Sequence, residues 1–339
     1  MTVTQMKPRL TVVVPAHQAA GEIGLCLDAL MHAGFAPAEI LVVDDGSWDA
    51  TGACAGAKGV RVIRNQRVLG AAGARNRGVA ESDAEIIVFV DADVIVHPDV
   101  RSRIIRHFAT EPALTALFGS YDDRPPAPSV VSRYRNLLHH HVHQLSRAES
   151  STFWTGLGAV RRDDFLRLGG FDKAWEKIED VEFGVRLRRS GGRILLDRGL
   201  LGTHLKAWTV GSMFRTDLWG RAIPWSRLVL FHGGPTDDLN LATAHRLSAA
   251  MVALFGIGFL GATLFDGRWL LLCAAALVGF TIANRGFLGF LARRFGLGFA
   301  LTAIPYHGLH YLAEGLGYAW VLATEGPGRA FASRRARAT

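Results

Sequence analysis

The sequence predicts an α/β fold, a mostly parallel sheet covered on both faces, followed by a C-terminal hydrophobic helical region. Short apolar runs recur at Leu10 to Val14, Ile40 to Val43, Val60 to Ile63 and Ile86 to Val90. They are nearly continuous rather than alternating, as strands buried on both faces are. Stretches of helical character such as "EIGLCLDALMHAG" and "AAGARNRGVAES" lie between them, and strands alternating with helices wind into βαβ units. After about Asn240 long uncharged runs replace the mixed composition, which predicts membrane helices.

In chain order, the first strand ends in Pro15-Ala16-His17, and the helix after it stops at Gly34. The second strand ends in Asp44-Asp45-Gly46-Ser47, the third in Asn65-Gln66 and the fourth in Asp91-Ala92-Asp93. In open sheets of this kind ligands sit beyond the carboxyl ends of the strands, so these residues are the first candidates for function. A polar helix is expected from Ser129 to Glu149, then "STFWTGLGAVRRDDFLRLGGFD" and a helix starting at the acidic "IEDVE" and running through Ser190.

The expected divisions are a sheet domain at 1–240, two or three hydrophobic helices at 241–326 and a basic tail at 327–339. "LSAAMVALFGIGFLGATLF" is long and uncharged enough to span. "WLLLCAAALVGFTIAN" returns to Arg285 and Arg293-Arg294, which predicts a hairpin with both ends cytoplasmic. The third run, Gly296 to Ala323, holds Pro305, His307, His310 and Glu314, so spanning, interfacial and re-entrant placements stay open. A plasma or inner membrane location follows, with the sheet domain cytoplasmic.

The net charge of +8 includes the late basic clusters, which suit an anionic leaflet. No basic stripe interleaved with aromatics occurs, so nucleic acid is not an expected partner. The three cysteines, Cys26, Cys54 and Cys273, lack paired spacing, so no disulfide frame is expected. The start "MTVTQMKPRLTVVVPAHQ" leads to the expectation of no cleaved signal peptide.

Asp91 and Asp93 are two apart, so on an extended chain they point the same way and repel. A cation near them keeps both ionised, and Mg2+ or Mn2+ held by so few carboxylates completes its shell with phosphates and water. Asp44 suits a ribose or base contact, or it caps the next helix. "LGAAGARNRG" is not GxGxxG and follows the third strand, against a dinucleotide-binding site. No Gly-rich phosphate loop follows the first strand, against a nucleotidyltransferase. The adjacent histidines of "HHHVH", His139 to His143, point in different directions on a helix, against a metal site there.

Taken together, "VVVPAHQAAGEI", "VVDDGSWDAT", "GAAGARNRG", "VFVDADV" and "IEDVEFGVRL" resemble the family 2 glycosyltransferases, inverting enzymes of the GT-A, Rossmann-like fold. The resemblance covers about Leu10 to Trp225. It implies that Pro15, Ala16, Glu22 and Asp44 line the base and ribose pocket and that Arg75 lies close to the nucleotide. Asp91, with Ala92, would touch ribose or metal, and Asp93 and His204 the metal. Asp180 would be the catalytic base, with Glu179 and Glu182 as competing acids. Trp154 and Gly156 belong to the loop that shapes donor sugar and acceptor, and Glu179, Arg221 and Trp225 would also meet the donor sugar or acceptor.

The resemblance further implies a nucleotide-sugar donor, a UDP-sugar before a GDP-sugar. With the membrane segments, it implies a lipid or lipid-linked acceptor such as a polyprenyl phosphate or glycolipid. The QxxRW motif of processive members is here "RAIPW", with Arg221 and Trp225 in the outer places and Pro224 for the arginine, against polymer synthesis. A silent membrane scaffold or nucleotide-sugar sensor is the alternative.

Overall fold

The computed structural model of this protein describes residues 8–233 and 243–326. They fall into two compact units, residues 8–127 with 143–206, and residues 128–142 with 207–233 and 243–326. The division expected at 240 and the basic tail at 327–339 lie outside the described residues. Residues 128–142 and 207–233 group with the C-terminal helices rather than with the sheet.

The first unit is built on one sheet of strands β1 (Leu10–Ala16), β2 (Ile40–Asp44), β3 (Arg61–Arg64), β4 (Ile86–Val90), β5 (Val94–Val96), β6 (Leu114–Tyr121), β7 (Leu157–Arg161) and β8 (Arg193–His204). Their order across the sheet is β3-β2-β1-β4-β7-β6-β8-β5. The four apolar runs become β1 to β4, all in parallel register. The expectation of a mostly parallel sheet holds only for this half. Strand β7 is antiparallel to both β4 and β6, β8 is parallel to β6, and β5 is antiparallel to β8.

Helices α1 (Ile23–His32), α2 (Thr51–Gly56), α3 (Gly70–Ala80), α4 (Val100–Thr110), α5 (Val130–Leu145), α6 (Arg162–Arg167) and α7 (Glu179–Arg189) follow in chain order. Side chains alternate across the sheet, as period 2 requires. Val12, Val14, Ile86, Val88 and Val90 pack with Ile23, Leu27 and Leu30 of α1, while Val13, Ile87 and Phe89 enter a separate cluster with α3 and α7. Both faces are therefore dry, which is why the strands read as unbroken apolar runs.

Two contacts on the second face position the site. Helix α3 is rich in small residues, and Gly78 lies so close to Val13 that a Cβ there would overlap its side chain. Helix α7 is anchored by Phe183, whose ring meets Phe165 at 5.1 Å and Phe171 at 5.2 Å, and both of those rings pack on Phe89 of β4. Burying one phenylalanine stabilises by about 1.5–3 kcal/mol, enough to hold a short helix against fraying.

The second unit holds the start of α5, then α8 (Val210–Asp217), a π-helical turn at Leu218–Ala222, α9 (Ile223–Phe231), α10 (Thr243–Leu264), α11 (Leu270–Ala283), α12 (Arg285–Phe295) and α13 (Leu297–Glu325). Among the described residues one helix is long and apolar enough to cross a membrane: His245–Leu264 of α10, with a mean hydropathy of 2.0. The segment Gly267–Ala283 and α12 pass that test only together and are bent by 72°. His307, His310 and Tyr311 of α13 are buried. His307 bonds Tyr134 and Asn284 at 2.9 Å each, and His310 meets Asp217 at 3.1 Å, which also pairs with Arg135. His140 and His141 stack on Phe290.

Replacing Gly78 by alanine is expected to lower stability by about 1–3 kcal/mol through overpacking against Val13. Urea denaturation of the first unit, read by tryptophan fluorescence, measures it.

Candidate active site

The carboxyl ends of β1, β2 and β4 meet as expected. Pro15 is half-buried and Ala16 buried at the end of β1, and Glu22 is half-buried just before α1 without capping it. Asp44 ends β2, but its carboxylate is only 2% exposed. Its Oδ1 accepts the Ser47 N–H at 2.9 Å, so in this structure Asp44 shapes the turn into α2.

The sequence offered no role for Asp45 beyond its position, and the structure makes it a latch. Its carboxylate accepts from the Asn65 amide at 2.6 Å and from the Leu69 and Gly70 N–H groups at 2.9 Å each. These bonds tie the β2 loop to the N-terminus of α3, where the helix dipole favours a negative charge.

Asp91 and Asp93 do not lie on an extended chain. Residues 91–94 form a turn closed by Val94 N–H to the Asp91 carbonyl at 3.1 Å, with Ala92 buried. The two carboxylates therefore reach different partners instead of pointing the same way as on an extended chain. Asp91 Oδ1 accepts from Arg75 Nη2 at 2.7 Å, whereas Asp93 Oδ2 lies 3.3 Å from His204 Nε2. Burial pushes the Asp93 carboxyl up, but the hydrogen bond from His204 and the charges of His204 and Lys206 outweigh it and bring the group below its usual range.

Arg75, from α3, is the hub. Its side chain is 6% exposed, and Nη1 donates to Glu179 Oε1 at 2.5 Å while Nη2 holds Asp91. Burial alone would lower its pKa, but Asp91 and Glu179 keep the guanidinium firmly protonated. The sequence placed Arg75 and Glu179 in the substrate pocket. In the structure both are committed to each other, and Glu179 is no solvated helix-end charge.

Asp180, in the first turn of α7, is buried. Its Oδ2 accepts both the N–H and the Oγ1–H of Thr155 at 3.0 Å, and its Oδ1 accepts the Val181 N–H at 2.8 Å. Burial raises its pKa, against the expectation that the helix end would simply keep it ionised, while the Arg75 charge and the three donors oppose that rise. Glu182, two residues on, is spent on a bidentate pair with Arg186.

This geometry depends on Gly184. A Cβ there would overlap the backbone of Thr152 and Phe153, so only glycine lets α7 approach closely enough for Asp180 to reach Thr155.

An aromatic wall completes the site. Tyr121 stacks on His204 with centroids 4.2 Å apart, and half-buried Trp154 meets Tyr121 edge-on at 4.8 Å. Gly156 leaves room for the Trp154 ring, and its carbonyl accepts the Asp91 N–H at 3.3 Å. Arg221, on the π-helical turn, and Trp225, in α9, lie in the second unit. Thr155, Tyr121 and Gly184 carry no sequence signal of their own, because each matters only through a close approach between distant segments.

The donor set fits a divalent cation in part. Among the described residues no three His, Cys, Asp or Glu side chains gather to hold a metal alone. Asp93 and His204 offer one oxygen and one nitrogen on the same side of the turn, a pair that suits Mn2+ or Mg2+ completed by phosphate oxygens and water. Asp91, with one oxygen on Arg75, is less available than the sequence implied.

Residues 11–169 match the family model described as glycosyl transferase family 2. An uncharacterized glycosyltransferase of Haemophilus influenzae is 24% identical over 52% of this chain and 61% of its own length. A pre-mycofactocin glycosyltransferase of Mycobacterium tuberculosis is 26% identical over 81% of this chain and 57% of its own. The chain thus spans less than two thirds of either relative. The solved structure of the mannosyltransferase PcManGT from Pyrobaculum calidifontis, in complex with GDP-Man and Mn2+, shares the fold with a TM-score of 0.60 at 18% identity, over 93% of this chain and 88% of that one.

Asp45→Ala is expected to cost about 3 kcal/mol or more, since three donors lose their acceptor. Chemical denaturation checks it, and a loss under 1 kcal/mol would refute the latch.

Proposed function

We propose that this chain, whose residues 11–169 form a glycosyl transferase family 2 domain, moves a sugar from a nucleotide-diphosphate sugar to a lipid or lipid-linked acceptor, with inversion at the anomeric carbon. The observation that carries this reading is Asp180, a carboxylate held by three donors at the helix start, in the same site as Asp93 and His204.

Asp180 takes the proton of the acceptor hydroxyl as that oxygen attacks the anomeric carbon. The bond from that carbon to the diphosphate oxygen breaks in line, and the electron pair leaves with the nucleoside diphosphate. Thr155 and Val181 orient the carboxylate. Pro15, Ala16, Glu22 and Asp44 stand at the strand ends where the nucleoside would sit, and Trp154 and Gly156 shape the sugar and acceptor side.

Asp93 and His204, with Asp91 adjoining, would hold Mg2+ or Mn2+ against the donor's phosphates. When bound, the cation supplies charge neutralisation of the departing diphosphate. The GDP-Man and Mn2+ of the mannosyltransferase that shares the fold support a nucleotide sugar and a divalent cation. UDP- and GDP-sugars both remain open here.

The apolar surface of α10 supports membrane anchoring, with α11, α12 and α13 as further embedded or interfacial elements. Arg285, Arg293 and Arg294 suit the cytoplasmic face. Anchoring brings the catalytic unit within reach of an amphiphilic acceptor.

The test incubates the full chain in liposomes with labelled UDP- and GDP-sugars and extracted membrane lipids, with and without EDTA. A single sugar in the organic phase, lost with EDTA, is expected, and a ladder of products or indifference to EDTA would sink the reading. Asp180→Asn should lower kcat about 10²–10⁴-fold with donor affinity kept, whereas a scaffold would be unaffected.

The base must be ionised to act, and its raised pKa places the acid limb of kcat above that of an ordinary carboxylate. Thr155→Val removes one donor to the ionised form, so the limb should move up by roughly one pH unit. A limb that stays put argues against Asp180 as the base.

A further inference from the structure

Glu179 is a carboxylate whose side chain is 6% exposed, at the helix end beside the base, and it spends one oxygen on Arg75 at 2.5 Å. A reacting group would face the substrate, and a solvated helix-end charge would face water. Glu179 does neither. Its partner is itself 6% exposed and forks between it and Asp91, so a single guanidinium ties the end of β4 to the start of α7.

We propose that Glu179 is a positioning residue: it holds Arg75 between Asp91 and Asp180 and so sets the charge against which the base ionises. This deepens the transferase reading and rests on it for its significance in turnover.

The groups facing Asp180 can be named. Arg75 from α3 and Thr155 from the segment before β7 act on it directly; Glu179, its neighbour in α7, shares its charge field and is itself pushed up by burial and by Asp180 against the pull of Arg75, whose other nitrogen holds Asp91. Glu182 is neutralised by Arg186. Removing the Glu179 charge leaves Arg75 with one partner fewer and Asp180 with one negative neighbour fewer. Both changes favour the carboxylate form of Asp180. The same loss unties the start of α7 from the end of β4, which should lower turnover although the base is more fully ionised. A packing role alone would change stability without moving the titration.

The experiment labels the full chain with [4-13C]aspartate and follows the Asp180 carboxyl resonance, identified by its disappearance in Asp180→Asn, as pH is varied. In Glu179→Gln the midpoint should fall by about one pH unit, with kcat reduced. In Glu179→Asp, which keeps the charge one methylene shorter, the midpoint should stay near that of the unsubstituted chain while kcat falls.

A Glu179→Gln midpoint matching the unsubstituted chain overturns the proposal. If Glu179→Gln does not fold, Glu179→Asp decides, and undiminished kcat in it overturns the proposal as well. Failure of the transferase reading is separate, because the titration needs no substrate. A chain without sugar transfer whose midpoint still moves in Glu179→Gln sinks that reading and leaves the electrostatic role standing.

Discussion

A guanidinium buried in the first unit has to be neutralised, and much of the candidate site follows from that requirement. Arg75 sits on α3, a helix of small residues drawn close to the sheet at Gly78. Its charge is sustained at this depth only by carboxylates brought to it. Asp91 arrives from the end of β4 and Glu179 from the start of α7, and each brings a functional candidate with it: Asp93 two residues on, and Asp180 next door. The ion-pair fork thus fixes the separation between the turn that carries Asp93 and the helix start that carries Asp180.

Apolar packing supplies what the fork cannot. The phenylalanines around Phe89 hold α7 against the sheet, and Gly184 removes the one side chain that would keep it at a distance. A charge network without this dry support would exchange partners with water. A packed helix without the network would leave Arg75 unpaired, at a cost of about 3–5 kcal/mol.

The parallel half of the sheet was legible because strands dry on both faces write unbroken apolar runs, as β1, β2 and β4 do. The antiparallel insertion of β7 was not, since "LGAV" carries no mark of its partner's direction. Asp91, Asp93, Asp180 and His204 were named as candidates by type and order. Their partners were not, because hydrogen bonds such as Thr155 to Asp180 join residues whose pairing depends on one backbone meeting another. The extended-chain picture of "DAD" failed for a local reason: the strand ends at Val90, and the turn that follows sends the two carboxylates apart. The third apolar run was legible as a helix, but not the destination of its polar residues.

That inward polar stripe on α13 has a consequence for the order of assembly. Tyr134 waits for His307, 173 residues further along the chain, and Arg135 and Asp217 receive His310 from the same late helix. During synthesis the early helices of the second unit emerge with these groups unsatisfied and stay so until α13 has been made. A chain truncated before α13 would leave a buried ion pair and a tyrosine hydroxyl without their capping imidazoles, so the packing of the earlier helices of this unit is conditional on α13.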